Sequence, residues 1–312
     1  MAVLRSRMHA PQQTTPRKSR VWRWLGYLFR EWTIESWRRI APAFAKPEPS
    51  KWSDMQVTLA WLGHSTVLIN FLGVTILTDP VLFPRIGIRL PGLTIGPKRL
   101  TAPALTYEEL PKIDLILLSH AHFDHLDLRT LRCFDETTSV ITARATADLL
   151  KPAPFCDVAE LDWGESKMLN SAPGHIDIAA FPVKHWGART QRDTHRGYNG
   201  YLIERSGHRI IFAGDTAMTE NFAALRRHGA IDVAIMSIGA YNPWIQSHCT
   251  PEQAVQMANA ADAHFIVPVH HQTFRLSFEP FCEPIERFEA ALNKTPERIA
   301  LREIGETFAL PL

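Results

Sequence analysis

The stretch Ser119-His120-Ala121-His122-Phe123-Asp124-His125 decides how this sequence is interpreted. It directly follows residues 113–118, a run of branched apolar side chains that predicts a buried strand. Within six positions it holds four side chains that can bind a metal ion: His120, His122, Asp124 and His125. Because side chains two positions apart in an extended segment point the same way, the first two histidines can face one ion. If the chain then turns into a helix, the aspartate and the last histidine can face a second ion. A surface loop that is histidine-rich by chance would rarely show this spacing.

Three further candidate ligands lie immediately beyond predicted strands, as the histidine motif does. They are His185, Asp215 and His270, which follow the apolar runs at residues 178–183, 209–212 and 265–269. Strand ends are rigid positions at which α/β proteins commonly build their sites. One histidine at a strand end is usually structural, but four such strand ends in one chain predict a shared metal site.

The sequence resembles the metallo-β-lactamase superfamily, and within it the branch of N-acyl-phosphatidylethanolamine-hydrolysing phospholipase D and its bacterial relatives. The histidine motif is highly specific for the superfamily. The remaining matches begin near Trp61 and run through most of the chain: Leu62-Gly63-His64-Ser65-Thr66, Leu77-Thr78-Asp79-Pro80, Gly96-Pro97-Lys98-Arg99, His185-Trp186, Gly214-Asp215-Thr216, and His270 before Thr273-Phe274. The third, fourth and last of these point to the branch more than to its substrate.

This resemblance implies an α/β fold, the αββα sandwich in which two mixed sheets pack face to face with helices outside. It also implies two metal sites, with a hydroxide and Asp215 bridging two ions. The first ion would be bound by His120, His122 and His185, and the second by Asp124, His125 and His270. His271 adjoins the last of these, and we take His270 as the ligand because it keeps the family spacing to the following Thr and Phe.

Two residues are candidates for a catalytic role, Asp124 and His248. His248 matches a family position close to the substrate and could give a proton to the leaving group. The other interpretation of His248 is a polar loop residue near a helix start. Asp79 is a candidate for orienting a ligand histidine, or alternatively a turn residue before Pro80.

Mixed imidazole and carboxylate ligands suit Zn²⁺, with iron or manganese as alternatives. Two close divalent ions lower the pKa of a shared water and hold the oxygens of the scissile group. The leading hypothesis is therefore a metal-dependent hydrolase, a phosphoric diester hydrolase acting on a phospholipid headgroup by attack of the bridging hydroxide. Alternatives are hydrolysis of a soluble lactone, sugar phosphate or cyclic nucleotide, or a non-enzymatic metal-binding scaffold.

Composition sets the wider limits. The chain has 312 residues, 46% of them hydrophobic, so a sizeable core can be buried. A formal net charge of +2 argues against a nucleic-acid partner. The four cysteines are scattered without a CxxC pair, which argues against a disulfide framework and favours a cytoplasmic location. We predict a catalytic domain at residues 51–312, preceded by a basic, Trp- and Arg-rich extension and linker at residues 1–50.

Residues 21–40 carry four tryptophans among several arginines at helical spacing, which predicts an amphipathic helix. Such a helix could hold the enzyme peripherally on a phospholipid membrane. The alternatives are that it packs on the catalytic domain, or that the acid-free residues 1–30 are a targeting peptide. The loop at residues 81–100 alternates apolar side chains with arginines and could form an apolar lip above the metal ions.

Overall fold

The computed structural model describes residues 26, 35–171, 174–190 and 192–311. The chain divides into two compact units, Met1–Arg38 and Arg39–Leu312. In the first unit Gly26 is helical, and Glu35–Trp37 form a 3-10 turn beside which Arg38 Nε lies 2.5 Å from Glu35 Oε2. The rest of the predicted amphipathic helix at residues 21–40 lies mainly outside the described residues, so this helix stays a prediction.

The described strands of the second unit are, in chain order, β1 (Val57–Gly63), β2 (Thr66–Phe71), β3 (Val74–Thr78), β4 (Ile88–Leu90), β5 (Leu93–Ile95), β6 (Leu115–Leu117), β7 (Ser139–Ala143), β8 (Val158–Leu161), β9 (Ser166–Ser171), β10 (Gly174–Phe181), β11 (Gly200–Arg205), β12 (His208–Phe212), β13 (Ile231–Ser237), β14 (Ala263–Val269) and β15 (Thr307–Ala309). The described α-helices are α1 (Leu128–Leu131), α2 (Tyr241–Trp244), α3 (Pro251–Ala260) and α4 (Glu283–Ala291). Short 3-10 helices occupy Pro49–Lys51, Tyr107–Glu109, Ala147–Leu150, Asn221–His228 and Pro296–Arg298.

These strands form two mixed sheets. The first has the order β15-β1-β2-β3-β6-β7-β8, antiparallel as far as β3 and parallel from β3 to β8. The second has the order β14-β13-β12-β11-β10-β9, in which only the pairs among β12, β13 and β14 are parallel. A separate two-stranded hairpin joins β4 to β5. The predicted fold class, an αββα sandwich, is confirmed.

The core lies between the sheets because alternate side chains of each strand face opposite ways. In β12, Ile210 and Phe212 belong to the apolar cluster shared with the first sheet. Ile211 between them belongs to a second cluster, formed with α3, α4 and the Asn221–His228 helix. The second sheet is thus covered on both faces, which explains why its central strands read as continuous apolar runs.

Local sequence signals set most element boundaries. α3 begins where Thr250 and Gln253 form a capping box and Pro251 occupies the first helical position. Asn221–His228 form a 3-10 helix rather than an α-helix. The expected helix at Asp124 and His125 does not form, because the chain makes a turn there and α1 begins only after its cap, Asp127.

Residues 41–45, part of the predicted linker, are hydrogen-bonded within the second unit. The amide of Ala41 donates to Leu100 O at 2.9 Å, and its carbonyl accepts from the Ala102 amide at 2.8 Å. The Ala45 amide donates to Ile304 O at 3.2 Å. The predicted boundary between residues 50 and 51 stays a prediction, while the compact units divide before this hydrogen-bonded stretch.

Candidate metal centre

The candidate ligands gather at one place because they follow strands whose ends meet across the two sheets. The histidine motif follows β6 in the first sheet, and His185, Asp215 and His270 come after β10, β12 and β14 in the second. Two backbone contacts join the sheets here. His120 forms an isolated bridge with Tyr198, and the His270 amide donates to His64 O at 3.0 Å.

The motif itself is a tight turn with an external brace. The Leu126 amide donates to His122 O at 2.9 Å and closes the turn. Arg189 Nη1 donates to Ala121 O at 3.0 Å and to Leu126 O at 2.8 Å, so one guanidinium holds both ends of the turn. The same guanidinium lies 4.0 Å from the centre of the Phe123 ring. This turn, rather than a helix, therefore directs the successive side chains of the motif to different positions.

The first group of candidate ligands comprises His120, His122, His185 and Asp215. One donor atom from each lies within 4.8 Å of every other. His122 Nδ1 lies 2.7 Å from His120 Nε2 and 3.2 Å from His185 Nε2. Nitrogen atoms of the three imidazoles predicted to bind one ion thus lie next to one another.

The second group comprises Asp124, His125, His270 and His64, again with donor atoms within 4.8 Å of one another. Asp124 Oδ2 lies 3.5 Å from His125 Nε2 and 3.4 Å from His270 Nε2. His64 Nε2 is nearest, at 3.0 Å from the same oxygen. Three members are the ligands predicted for the second ion, and His64 is an addition that the sequence interpretation missed.

Asp215 lies between the two groups, as expected of a bridging residue. Its Oδ2 is 3.1 Å from His125 Nε2 and 3.2 Å from His270 Nε2, and also 3.9 Å from His185 Nε2. The structure therefore brings all seven predicted ligands together. Metal binding by these side chains stays a prediction.

Hydrogen bonds behind the ligands fix which nitrogen faces the centre. Asp79 accepts from His125 Nδ1 at 2.6 Å and from the Ser119 hydroxyl at 2.5 Å. That hydroxyl also lies 2.8 Å from His120 Nδ1, and Ser247 O lies 2.7 Å from His185 Nδ1. Such partners orient metal-binding imidazoles and leave the opposite nitrogen free to bind. Asp79 thus has the orienting position rather than that of a simple turn residue.

Three residues of this centre have a strained backbone. His64, Asp79 and His270 have positive φ values of 53°, 32° and 65°, a region that costs non-glycine residues of order 1–3 kcal/mol each. Gly214, with φ at 59°, precedes Asp215, and a Cβ there would meet Ser119 Cβ at 2.7 Å. Only a glycine lets these two ligand-bearing segments approach so closely.

The two groups differ in the pKa values of their histidines. Burial lowers the pKa of His122 to about 3, and burial together with neighbouring imidazoles lowers the pKa of His120 well below its ordinary value. Burial acts the same way on His270, but Asp215 and Asp124 outweigh it and raise the pKa to about 9. Carboxylates likewise overcome burial at His125 and raise its pKa well above the ordinary value.

The donor atoms fit divalent cations. His125 Nε2, His270 Nε2 and Asp215 Oδ1 are buried and make no hydrogen bond of acceptable geometry. Leaving a buried polar atom without such a partner costs about 1–3 kcal/mol. Imidazole nitrogens with carboxylate oxygens are the ligands that zinc, iron and manganese accept. A cation among these atoms would satisfy them, and the residues present fit that role.

The remaining candidates are also placed. His248 is mostly buried, with Nδ1 at 3.8 Å from Asp215 Oδ2 and its ring centre 5.1 Å from that of His185. His271 belongs to neither group and stacks on Trp61, ring centres 4.6 Å apart. His64 could have been found from the sequence, because it too directly follows an apolar run, at residues 57–62.

Comparison with known proteins agrees with this geometry. A family model described as a beta-lactamase superfamily domain matches residues 75–271. The mitochondrial N-acyl-phosphatidylethanolamine-hydrolyzing phospholipase D of Saccharomyces cerevisiae is 33% identical over 272 residues, covering 83% of this chain and 57% of the yeast protein. The N-acyl-phosphatidylethanolamine-hydrolyzing phospholipase D 1 of Caenorhabditis elegans is 30% identical over 256 residues, covering 77% of this chain and 71% of the nematode protein. The solved structure of Igni18, a metallo hydrolase from Ignicoccus hospitalis, has a TM-score of 0.60 at 24% identity, covering 82% of this chain and 99% of Igni18, and shows the shared fold.

Proposed function

Since this chain belongs to the phospholipase D-like branch of the metallo-β-lactamase superfamily and is a metal-dependent hydrolase, we propose that it cleaves a phosphodiester in a phospholipid headgroup. The proposed reaction uses two divalent ions, and zinc is the metal that best suits the candidate ligands. The observation that carries this proposal is the pair of ligand groups with Asp215 between them. When bound, two such ions lower the pKa of a shared water and hold the phosphate oxygens. The sequence similarity to two N-acyl-phosphatidylethanolamine phospholipases D supports a phospholipid as the substrate class.

The side chains around the centre support hydrolysis by water rather than through a covalent intermediate. Cys249 is the thiol next in sequence to His248, but burial raises its pKa to about 12. Its Sγ donates to Ser237 O at 3.3 Å, which points the thiol into the core. A thiol that stays protonated and bonded in this way is unsuited to attack phosphorus.

His248 is placed to stabilise the oxygen of the leaving alcohol. Its amide donates to Trp244 O at 3.0 Å, so the backbone holds the ring at the edge of the centre. Burial lowers its pKa to about 3, which keeps the ring neutral, so it would donate a hydrogen bond to the leaving oxygen rather than transfer a proton to it. Replacing His248 with alanine should lower kcat more for a poor leaving group than for p-nitrophenolate, because a good leaving group carries its negative charge without this hydrogen bond.

Exposed apolar side chains near the centre favour a lipid substrate. Trp186 is 48% exposed and its ring lies 4.4 Å from that of His122, while Trp244 is 47% exposed and its Nε1 donates to Leu276 O at 3.3 Å. The predicted lip at residues 81–100 is only partly exposed. Val81 and Ile86 are buried against Phe274, and the exposed members are Ile88, Leu90 and Leu93 on the β4–β5 hairpin.

The substrate proposal can be tested on purified protein of known metal content. We expect release of the headgroup from N-acyl-phosphatidylethanolamine vesicles, with phosphatidate as the other product, and slower turnover of bis-p-nitrophenyl phosphate. Asp124→Asn is the matched control because it removes one candidate ligand without changing the size of the side chain. Turnover of a lactone or a soluble phosphate ester, with none of the phospholipid, would contradict the lipid proposal while leaving the hydrolase intact.

Membrane attachment through residues 21–40 needs a separate test. Within the described residues, no helix is long and apolar enough to cross a bilayer. We propose that Trp22, Trp24, Trp32 and Trp37 anchor the enzyme at the headgroup boundary. Replacing all four with serine in the full chain should reduce sedimentation with anionic liposomes and turnover of lipid, but not of the soluble diester. Equal loss of both activities would show that the segment supports folding instead.

A further inference from the structure

His64 occupies a turn that is tied to the second group through its main chain. It lies between β1 and β2, and its amide donates to Thr273 Oγ1 at 2.6 Å. Its carbonyl accepts from the His270 amide at 3.0 Å and from Trp61 Nε1 at 2.8 Å. The backbone of a candidate ligand is therefore hydrogen-bonded directly to the backbone of His64.

The side chain of His64 reaches another candidate ligand. The residue is 1% exposed, and its ring centre lies 4.1 Å from that of His270 and 5.2 Å from that of Phe274. Nε2 lies 3.0 Å from Asp124 Oδ2. An ionised carboxylate only accepts hydrogen bonds, so Nε2 must carry the proton and donate it.

We propose that His64 is a positioning residue for the second group, holding Asp124 through its imidazole and His270 through its carbonyl. This inference rests on the proposed two-ion function. The donated hydrogen bond fixes which oxygen of Asp124 faces the ion, and the main-chain bond fixes the φ of 65° at which His270 leaves β14. His64 itself is held at a φ of 53°, a conformation that persists only where its surroundings enforce it.

The effect should be confined to the second group. Among the described residues, the hydrogen bonds of His64 reach the second group, Trp61 and Thr273, and none reaches the three imidazoles of the first group. Partners of this kind typically change metal affinity 10–100-fold when removed. A merely structural role would instead lower the stability of the fold and weaken both ions together.

The test is a competition titration of metal-free protein with Zn²⁺ and a chelating indicator. In His64→Ala we expect one zinc equivalent to bind about 10–100-fold more weakly and the other to bind as in the wild type. His64→Gln should lose less, because its amide can still donate to Asp124. His271→Gln is the matched control, since His271 is also buried, packs against Trp61 and belongs to neither group.

The outcomes separate this inference from the proposed function. A wild type that binds fewer than two equivalents contradicts the two-ion proposal itself. A wild type that binds two, with no change in His64→Ala or an equal loss of both, contradicts the positioning role alone. X-ray absorption showing one imidazole fewer around fully loaded metal in His64→Gln would make His64 a ligand and also overturn this role.

Discussion

The two groups of candidate ligands have similar donor atoms but different electrostatic surroundings. In the first group the three imidazoles share one carboxylate, Asp215, and burial lowers the pKa values of His120, His122 and His185. In the second group burial acts to lower the pKa of His125, but the nearby carboxylates of Asp215, Asp124 and Asp79 outweigh it and raise this pKa well above the ordinary value. The imidazoles of the first group are therefore neutral, whereas in the second group His125 and His270 are paired with carboxylates and only His64, whose pKa burial lowers to about 3, is neutral.

This contrast predicts how the two ions differ. The carboxylates around the second group attract a dication strongly, but protons on the imidazoles compete for the same nitrogens. The first group offers less charge and almost no proton competition. A comparison of variants in the two groups should therefore separate the ions, and each prediction below tests one part of this contrast.

The largest effect should come from removing a ligand in either group. Asp124→Asn and His122→Ala should each lose about one bound ion and nearly all activity, because both ions are needed to activate water. Elemental analysis and turnover of bis-p-nitrophenyl phosphate measure the two quantities. Full metal content with full activity in both variants would remove the basis of the two-ion proposal.

His270 and His271 provide the next test, within two adjacent positions. His270 Nε2 lies 3.2 Å from Asp215 Oδ2, whereas the His271 ring stacks on Trp61. We expect His270→Ala to abolish activity and His271→Ala to be much milder, with mainly a stability cost from lost packing. The reverse ranking in kcat would mean that the ligand register is shifted by one residue.

A smaller effect is expected from Asp79, whose carboxylate is hydrogen-bonded to a candidate ligand. It accepts from His125 Nδ1 at 2.6 Å and from the Ser119 hydroxyl at 2.5 Å. Asp79→Asn should weaken zinc binding about 10–100-fold, mainly at the second group. Stepwise titration against a chelator measures the zinc affinity of each group. Equal weakening at both groups would show that the hydrogen bonds from Asp79 through Ser119 to His120 support the first group as strongly as the bond to His125 supports the second.

The smallest expected effect is the release of protons when an ion binds to the second group. In the metal-free protein the pKa of His270 is raised to about 9, so the ring is protonated at pH 7 and must lose its proton to bind an ion. Affinity of the second group should rise as the pH rises toward 9, with on the order of one or two protons released per ion. Calorimetry in two buffers of different ionisation enthalpy counts these protons. If protons were released only when an ion binds to the first group, which includes His122, the contrast between the two groups would be wrong.

Much of the fold and the site was predictable because the signals are local. The apolar runs at residues 113–118, 178–183, 209–212 and 265–269 each overlap a strand of the structure. The hairpin β4–β5 and strands β8 and β9 were missed, since their exposed or irregular patterns resemble loops. At Asp124 and His125 the chain makes a turn instead of the helix that was considered there.

By itself, the sequence determined the superfamily, the sandwich fold and the seven side chains that the structure brings together, because each follows a recognisable strand. The tertiary structure decided what lies between those side chains. Only the approach of the two sheets puts Asp215 between both groups, and only the strand order within the first sheet brings His64 to Asp124 across 60 positions of chain. Long-range contacts of this kind depend on how strands pair and pack, which no local pattern encodes.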